Sequence, residues 1–496
     1  MSEVDTRFEE YTIVEFHSAL KRGAVSSAEL TKWYLNRIQT LDIDGPALSS
    51  IVTINPDALD RARELDEHFA LTGTFVGPLH GVPILIKDQA ETAGLRTTFG
   101  SALFKDYLPE QDSAVVEKIR AAGAIILAKT SMNDLACGYS SHSTMTGLTK
   151  NPYDLTRDTG GSSSGTGASV AANLGLVGIG EDTGGSIRVP SSFNNLYGLR
   201  VTAGLISRRG LQGLVPTQDT PGPMARTVGD LVALLDTLIG YDPADDLTAI
   251  AAETPWLGGF TELLATLPQW SDFKVGVLES AFDNGDDPER VPVNDAVRQA
   301  VEKLESFGVD IVHGLEIVNL EGWFDRTSLY ETVSRSVLAE FFASHGAPVS
   351  SYEEFLASKS HNPLLSTFDW IAGGSDSPTD DIAYLKALHA QYEFRQIVLN
   401  LMAANDLDVL VFPTVKALPP RHADMESGVD VGGFPTNTIV GSQAVLPAMS
   451  VPTGLTANGL PVGLEVLTRP LREDILIQFA ALWERDNAPR VRPCFG

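Results

Sequence analysis

The chain has 496 residues, 43% of them hydrophobic, enough to bury a large core, and 64 acidic against 36 basic side chains give a formal net charge of −28. That acidity opposes nucleic acid and anionic membrane as partners and serves first as a solubility feature. Two cysteines, Cys137 and Cys494, exclude a disulfide framework and a cysteine metal site.

The start "MSEVDTRFEE" is charged and carries no apolar signal segment, and no run is long and apolar enough to span a membrane. A cytoplasmic protein is therefore expected. The stretch "SSAELTKWYLNRIQTL" predicts an amphipathic helix, with Ser26 and Glu29 at capping-box spacing and Leu30, Trp33, Tyr34, Ile38 and Leu41 on one face. "GVPILIKD" predicts a buried strand that ends in a lysine. "DSAVVEKIRAAGAIILAKT" predicts a helix, a stop at Gly123 and a second buried strand over Ala124–Ala128. This strand–helix–strand rhythm argues for an α/β layered fold with helices on both faces.

Farther on, small residues in "TGASVAANLG" predict a tightly packed helix, and "LVGIG" a strand. An acidic, weakly patterned region runs from about Tyr241 to Asp295. Helical patterns return around Val301–Leu338 and Ile382–Met402, and "AMSVPTGLTANGLPVGLEVL" predicts two strands joined at Asn458-Gly459. No repeat, low-complexity tract or linker is visible, so one domain is expected.

The pentapeptide Asp-Thr-Gly-Gly-Ser occurs twice, at Asp158–Ser162 and Asp182–Ser186. A flexible linker does not fit, because the first copy leads directly into a helix and a strand and the second into "SIRVPSS". A phosphate loop needs a lysine after its glycines, and neither copy has one. "GSSSG" satisfies the Gly-x-Ser-x-Gly elbow with Ser163 as nucleophile, but the polar "NPYDLTRDT" before it is not the apolar strand an elbow requires. Nor do the later histidines His313, His345, His361, His389 and His422 stand in a context that marks a base. Two Asp-Thr-Gly triplets so close together cannot supply the two lobes of an aspartic protease. What remains is a nucleophilic serine with bared backbone donors: Gly184, Gly185 and Ser186 follow a strand, where N–H groups free of side chains suit an oxyanion. Lys87, at the end of its apolar strand, is the candidate base, since burial drives a lysine toward its neutral form.

In order and spacing, "GPLHGVPILIKD", "GGSSSGTGASVAA" and "GEDTGGSIRVPSS" resemble the amidase signature family. So do "VPTQDTPGPMARTVGD" and the C-terminal strand pair, so the likeness covers nearly the whole chain. The distances of 75 positions from Lys87 to Ser162 and 24 from Ser162 to Ser186 are typical of that family. One departure is Ser164, where the family usually has glycine. The resemblance implies a single α/β domain over 1–496, a mixed central β-sheet flanked by α-helices on both faces. Its catalytic core lies at about 75–230, and a C-terminal part at about 405–470 completes the sheet. It also implies a triad of Ser186 as nucleophile, Ser162 as bridging serine after a non-proline cis peptide from Gly161, and Lys87 as base. Backbone N–H groups of Thr183, Gly184, Gly185 and Ser186 then form the oxyanion hole, Ser163 supports the site by hydrogen bonding, and Asp182 and Arg188 are structural.

The expected activity is hydrolysis of a neutral aryl or alkyl amide through a serine acyl-enzyme, with no metal or organic cofactor. Carbamate, hydrazide or ester hydrolysis is the alternative on the same triad. A glutaminase subunit of a tRNA-dependent amidotransferase is disfavoured, because no acid occurs from Gly432 to Pro452, where that subgroup usually places an aspartate for the glutamine amino group. Pocket candidates are Met132, Cys137 and Tyr139, within Ser131–Ser141, and the segment around Gly433–Gln443. The lack of a cationic cluster near them leans toward an uncharged acyl group. Expected partners are a small neutral substrate, with no nucleic acid and no membrane, and a homodimer is left open.

Overall fold

Short apolar runs between glycine-rich or polar turns form the strands of the computed structural model, which describes residues 5–283, 285–428, 434, 436–487 and 490–495. In chain order they are β1 (Ile51–Ile54), β2 (Pro83–Lys87), β3 (Ile125–Thr130), β4 (Lys150–Asn151), β5 (Asp154–Asp158), β6 (Val177–Asp182) and β7 (Tyr197–Arg200). There follow β8 (Thr220–Ala225), β9 (Lys274–Leu278), β10 (Asp310–Leu315), β11 (Val409–Pro413), β12 (Ala448–Leu455) and β13 (Pro461–Leu467). Among the described residues eleven of these make one sheet in the order β1-β3-β2-β6-β8-β7-β12-β13-β11-β9-β10, while β4 and β5 pair separately. The sheet is mixed: β2 runs parallel to β3 and β6, and β9 parallel to β10 and β11, whereas β6–β8 and β12–β13 are antiparallel.

Strands β2, β3, β6, β11 and β13 are buried along their whole length. Such continuous apolar runs are what a sheet covered by helices on both faces requires. This is the α/β class the sequence predicts. The expected N-terminal helix forms at Ser27–Arg37 and is capped by the Ser26–Glu29 box. Leu30, Trp33, Tyr34, Ile38 and Leu41 are all buried, the last two carried on by a π-helical turn. Helices also form at Ala114–Ala121, Ser164–Ala171 and Ile382–Ala404. Gly123 ends the first of these at φ +84°, so β3 begins at Ile125 rather than Ala124. Gly459, at φ +76°, turns the β12–β13 hairpin where the sequence places it.

Eight of these strands, β1, β4, β5, β7, β8, β9, β10 and β11, were not read from the sequence, and three of them show why. β5, "DLTRD", lies in the polar run before the first pentapeptide, but it pairs with the two-residue β4 and bridges Arg421 through Arg157, outside the main sheet. β9 hides inside the acidic region because it is a single five-residue run, and β10 is an edge strand with several exposed side chains. Both add to one end of the sheet. Among the described residues, no helix is long and apolar enough to cross a membrane.

Candidate active site

β2 and β6 are parallel neighbours, so the ends of both strands open on the same crevice. Lys87 closes β2 and Asp182 closes β6. Lys87 is 1% exposed, and its Nζ donates to Ser162 Oγ at 2.8 Å and to the main-chain oxygen of Glu181 at 3.2 Å. The Glu181 carboxylate lies 3.6 Å from the same nitrogen. Burial pushes Lys87 down to about 8 from its ordinary 10.5, against the pull of Glu181. Sequence reasoning missed Glu181. Its one signal is a carboxylate near the end of a buried strand, two residues before Thr183.

Ser162 follows a cis peptide from Gly161. At Gly161 an added Cβ would fall 2.2 Å from the main-chain oxygen of Ser140, so only glycine permits the approach. The next residue links the two pentapeptides: Ser163 N–H donates to the Ser186 carbonyl at 3.1 Å, and Ser163 Oγ donates to Glu181 O and accepts from Glu181 N, each at 3.3 Å. Ser164, the departure from the family pattern, fits at the start of its helix with its hydroxyl on Ser162 O at 3.4 Å. Ser162 and Ser186 are joined through this backbone, with no hydroxyl-to-hydroxyl bond between them among the described residues.

The turn from Thr183 to Ser186 is held by its carbonyls. Gln218 Nε2 donates to Thr183 O at 3.0 Å, Thr438 Oγ1 to Gly184 O at 2.7 Å, Val189 N to Gly185 O at 2.8 Å and Ser163 N to Ser186 O. With all four oxygens bound to the protein body, the four N–H groups are left without an acceptor among the described residues. Gly185 sits at φ +143°, and a Cβ there would fall 2.0 Å from Thr438 Oγ1. These are the donors expected of an oxyanion hole, collected by one tight turn.

Beneath the turn lies a buried charge cluster. Arg188 donates to Asp182 through Nε and Nη2, each at 3.1 Å, and also contacts Glu465; Arg200 Nη1 reaches Asp182 at 3.0 Å. Burial alone would raise the Asp182 carboxyl, but the two guanidinium charges hold it at about 2. Asp182 and Arg188 thus bond to each other and to framework groups, away from the cavity wall.

Ser186 faces a cavity of about 680 Å³, lined also by Tyr139, Phe324, Tyr330, Trp370, Phe434 and Ile439. Of the three pocket residues expected from the sequence, only Tyr139 lines it. Met132 and Cys137 do not: both are fully buried in an apolar cluster with Phe99, Leu135 and Phe341, and it is their neighbours Ala136 and Gly138 that reach the wall. In the second expected segment, Phe434, Thr436, Ile439 and Gln443 line the cavity; Gly433 lies outside the described residues. The wall also carries charges the expected segments do not contain. Lys416 pairs with Glu321 at 3.2 Å and Arg290 with Asp283 and Asp287, while Asp325 and Glu331 add negative charge. These residues come from distant parts of the chain, which is why local sequence carries no sign of them. Among the described residues, no cluster of three or more His, Cys, Asp or Glu side chains could hold a metal ion.

A family model described as Amidase matches residues 29–477. A glutamyl-tRNA(Gln) amidotransferase subunit of Gloeothece citriformis is 33% identical over 488 residues, covering 96% of this chain and 97% of its own length. Among solved structures, the native peptide amidase of Stenotrophomonas maltophilia aligns with a TM-score of 0.86 at 32% identity, over 99% of this chain and 100% of its own. An amidase family protein from Bacillus anthracis aligns at 0.82 and 27% identity, over 99% and 93%.

Proposed function

The chain belongs to the amidase family, and on that premise we propose that it hydrolyses the C–N bond of a small, neutral aryl or alkyl amide through an acyl-enzyme on Ser186. The observation that carries this reading is the 2.8 Å bond from the buried, low-pKa Lys87 to Ser162, beside a serine that opens on a cavity. In this reading, neutral Lys87 takes the proton of Ser162 while Ser162 takes that of Ser186, and Ser186 Oγ bonds to the substrate carbonyl carbon. The oxyanion rests on the N–H groups of Thr183, Gly184, Gly185 and Ser186; losing one such donor typically costs about 2.7–4 kcal/mol of transition-state stabilisation. The proton returns along the same path to the leaving nitrogen as the C–N bond breaks. Water, activated in reverse, then releases the acid. Ser163 holds Glu181 and Ser186 in register, and the whole chain works as one catalytic unit.

An anionic substrate does not suit the cavity, whose two cations already face acids. Carbamates, hydrazides and esters remain alternatives on the same triad. Glutamine is the second reading, favoured by the name of the 33%-identical relative and disfavoured by the acid-free stretch from Gly432 to Pro452. The first reading has no nucleic-acid or membrane partner, and a homodimer is the proposed assembly.

The deciding experiment measures ammonia or amine release from a panel of aryl amides, alkyl amides, carbamates and glutamine. Wild type is expected to turn over simple amides faster than glutamine, and Ser186→Ala and Lys87→Ala to lose at least about 10³-fold. Near-wild-type rates in either variant would falsify the triad; preferential glutamine turnover would replace the substrate assignment.

A further inference from the structure

We infer that Glu181 is a positioning residue for the relay: its buried carboxylate orients the Lys87 amine toward Ser162 and sets that amine's basicity. The inference rests on Lys87 acting as the base.

Glu181 is the last residue but one of β6 and is 2% exposed. Its Oε1 lies 3.3 Å from Thr183 Oγ1, but that hydroxyl has one hydrogen and sits closer to Asp219 Oδ1, at 2.6 Å. Its Oε2 lies 3.6 Å from Lys87 Nζ and has no hydrogen-bond partner of normal geometry among the described residues, though the Gln89 side chain helps to lower the carboxyl's pKa. One residue thus offers the amine two acceptors, a main-chain oxygen at 3.2 Å and a carboxylate. A neutral amine has two hydrogens and one lone pair. Aiming the hydrogens at Glu181 leaves the lone pair for the Ser162 hydroxyl, the arrangement a base requires.

When the proton passes from Ser162 Oγ to Lys87 Nζ, an ammonium forms in a buried site beside this carboxylate, which stabilises it with little screening. No bond to Glu181 forms or breaks. The other charged groups near the pair are already engaged. Asp182 is neutralised by Arg188 and Arg200, and Asp219 accepts from Thr183 and from the amides of Leu214 and Val215. The remaining titratable neighbour is Tyr330, whose phenol burial raises well above its ordinary range. Burial pushes Glu181 up to about 7, while the charge of Lys87 pulls it down. Each member of the pair therefore favours the charged form of the other. Without the carboxylate, burial would be opposed only by the more distant charges of Asp182 and Asp219, and burial takes unpaired lysines down to about 5–6.

The test uses an alkyl fluorophosphonate, whose labelling of Ser186 needs the relay but no known substrate. Labelling rate is followed from pH 5 to 10 in wild type, Glu181→Gln, Glu181→Ser and Lys87→Ala. The wild-type rate is expected to rise through a midpoint near 8. Both Glu181 variants should move that midpoint down by more than about one pH unit and lower the plateau about tenfold, because a weaker base draws the proton less strongly. A merely structural glutamate would lower the rate without moving the midpoint, and coincident midpoints overturn the inference. Wild-type-like labelling by Lys87→Ala at every pH overturns the relay itself, a separate failure. If neither Glu181 variant folds, the wild-type profile decides: a midpoint near 8 supports the pairing, and one above about 10 or below about 6 refutes it.

Discussion

Replacing Asp182 with asparagine tests whether the charge cluster under the Thr183–Ser186 turn is the support that holds it. The Asp182 carboxylate accepts four hydrogen bonds: two from Arg188, one from Arg200 at 3.0 Å and one from Ile187 N–H at 3.1 Å. Its pKa falls from 3.8 to about 2 despite full burial. At about 1.36 kcal/mol per unit, that shift corresponds to about 2.5 kcal/mol of folded-state stabilisation. Asparagine removes this and turns an N–H toward a guanidinium. Arg188 keeps Glu465, but Arg200 retains only main-chain acceptors, the oxygens of Asp182 and Gln218. Breaking a buried pair on one side typically costs about 3–5 kcal/mol, so about 4 kcal/mol is expected. With about 2.1 cal/mol/K of unfolding entropy per residue, the whole chain loses about 4 °C in Tm. Because the folded pKa lies below the unfolded one, the wild-type advantage is complete above about pH 4 and is lost as pH falls through about 2. Scanning calorimetry of both proteins between pH 5 and 8 should therefore show a constant gap. A second variant, Asp182→Asn with Arg200→Met, removes the stranded charge and should recover part of the loss. A Tm drop below about 1 °C, or no recovery in the double variant, refutes the electrostatic account.

Two further outcomes test other parts of the site. Gly185→Ala places a methyl 2.0 Å from Thr438 Oγ1 on a backbone at φ +143°; the turn must shift, and hydrolysis should fall about 10²-fold or more while the protein stays folded. Activity within tenfold of wild type would show that the turn tolerates displacement. Cys137 is fully buried, with its thiol raised by burial, and Cys494 is exposed. A thiol reagent should therefore modify one cysteine in the native protein and two in denaturant. A second fast thiol would contradict the packing that keeps Cys137 out of the cavity.

The parts of the molecule legible in the sequence are those written by local chemistry. The Ser26 cap, the apolar strand ending at Lys87, the Asn458-Gly459 turn and the paired pentapeptides each depend on neighbours a few residues away. The tertiary structure decided which of these meet. Lys87 and Ser162 are 75 positions apart and become bonded because the helix that follows Ser162, Ser164–Ala171, packs on β2 and β6. Met132 and Cys137 sit on a segment that borders the cavity but pack into the apolar cluster beneath it, a choice of side that composition does not encode. The charges of Arg290, Glu321 and Lys416 reach the cavity from elements far apart in the chain, and burial against Lys87 gives Glu181 its place. Sequence alone proposed Lys87 and Ser186 as reacting groups, and the family resemblance added Ser162, since residue types and spacing are covalent facts. Their surroundings, and with them the pKa values and the cavity's shape, arise from long-range packing, which has no local signature.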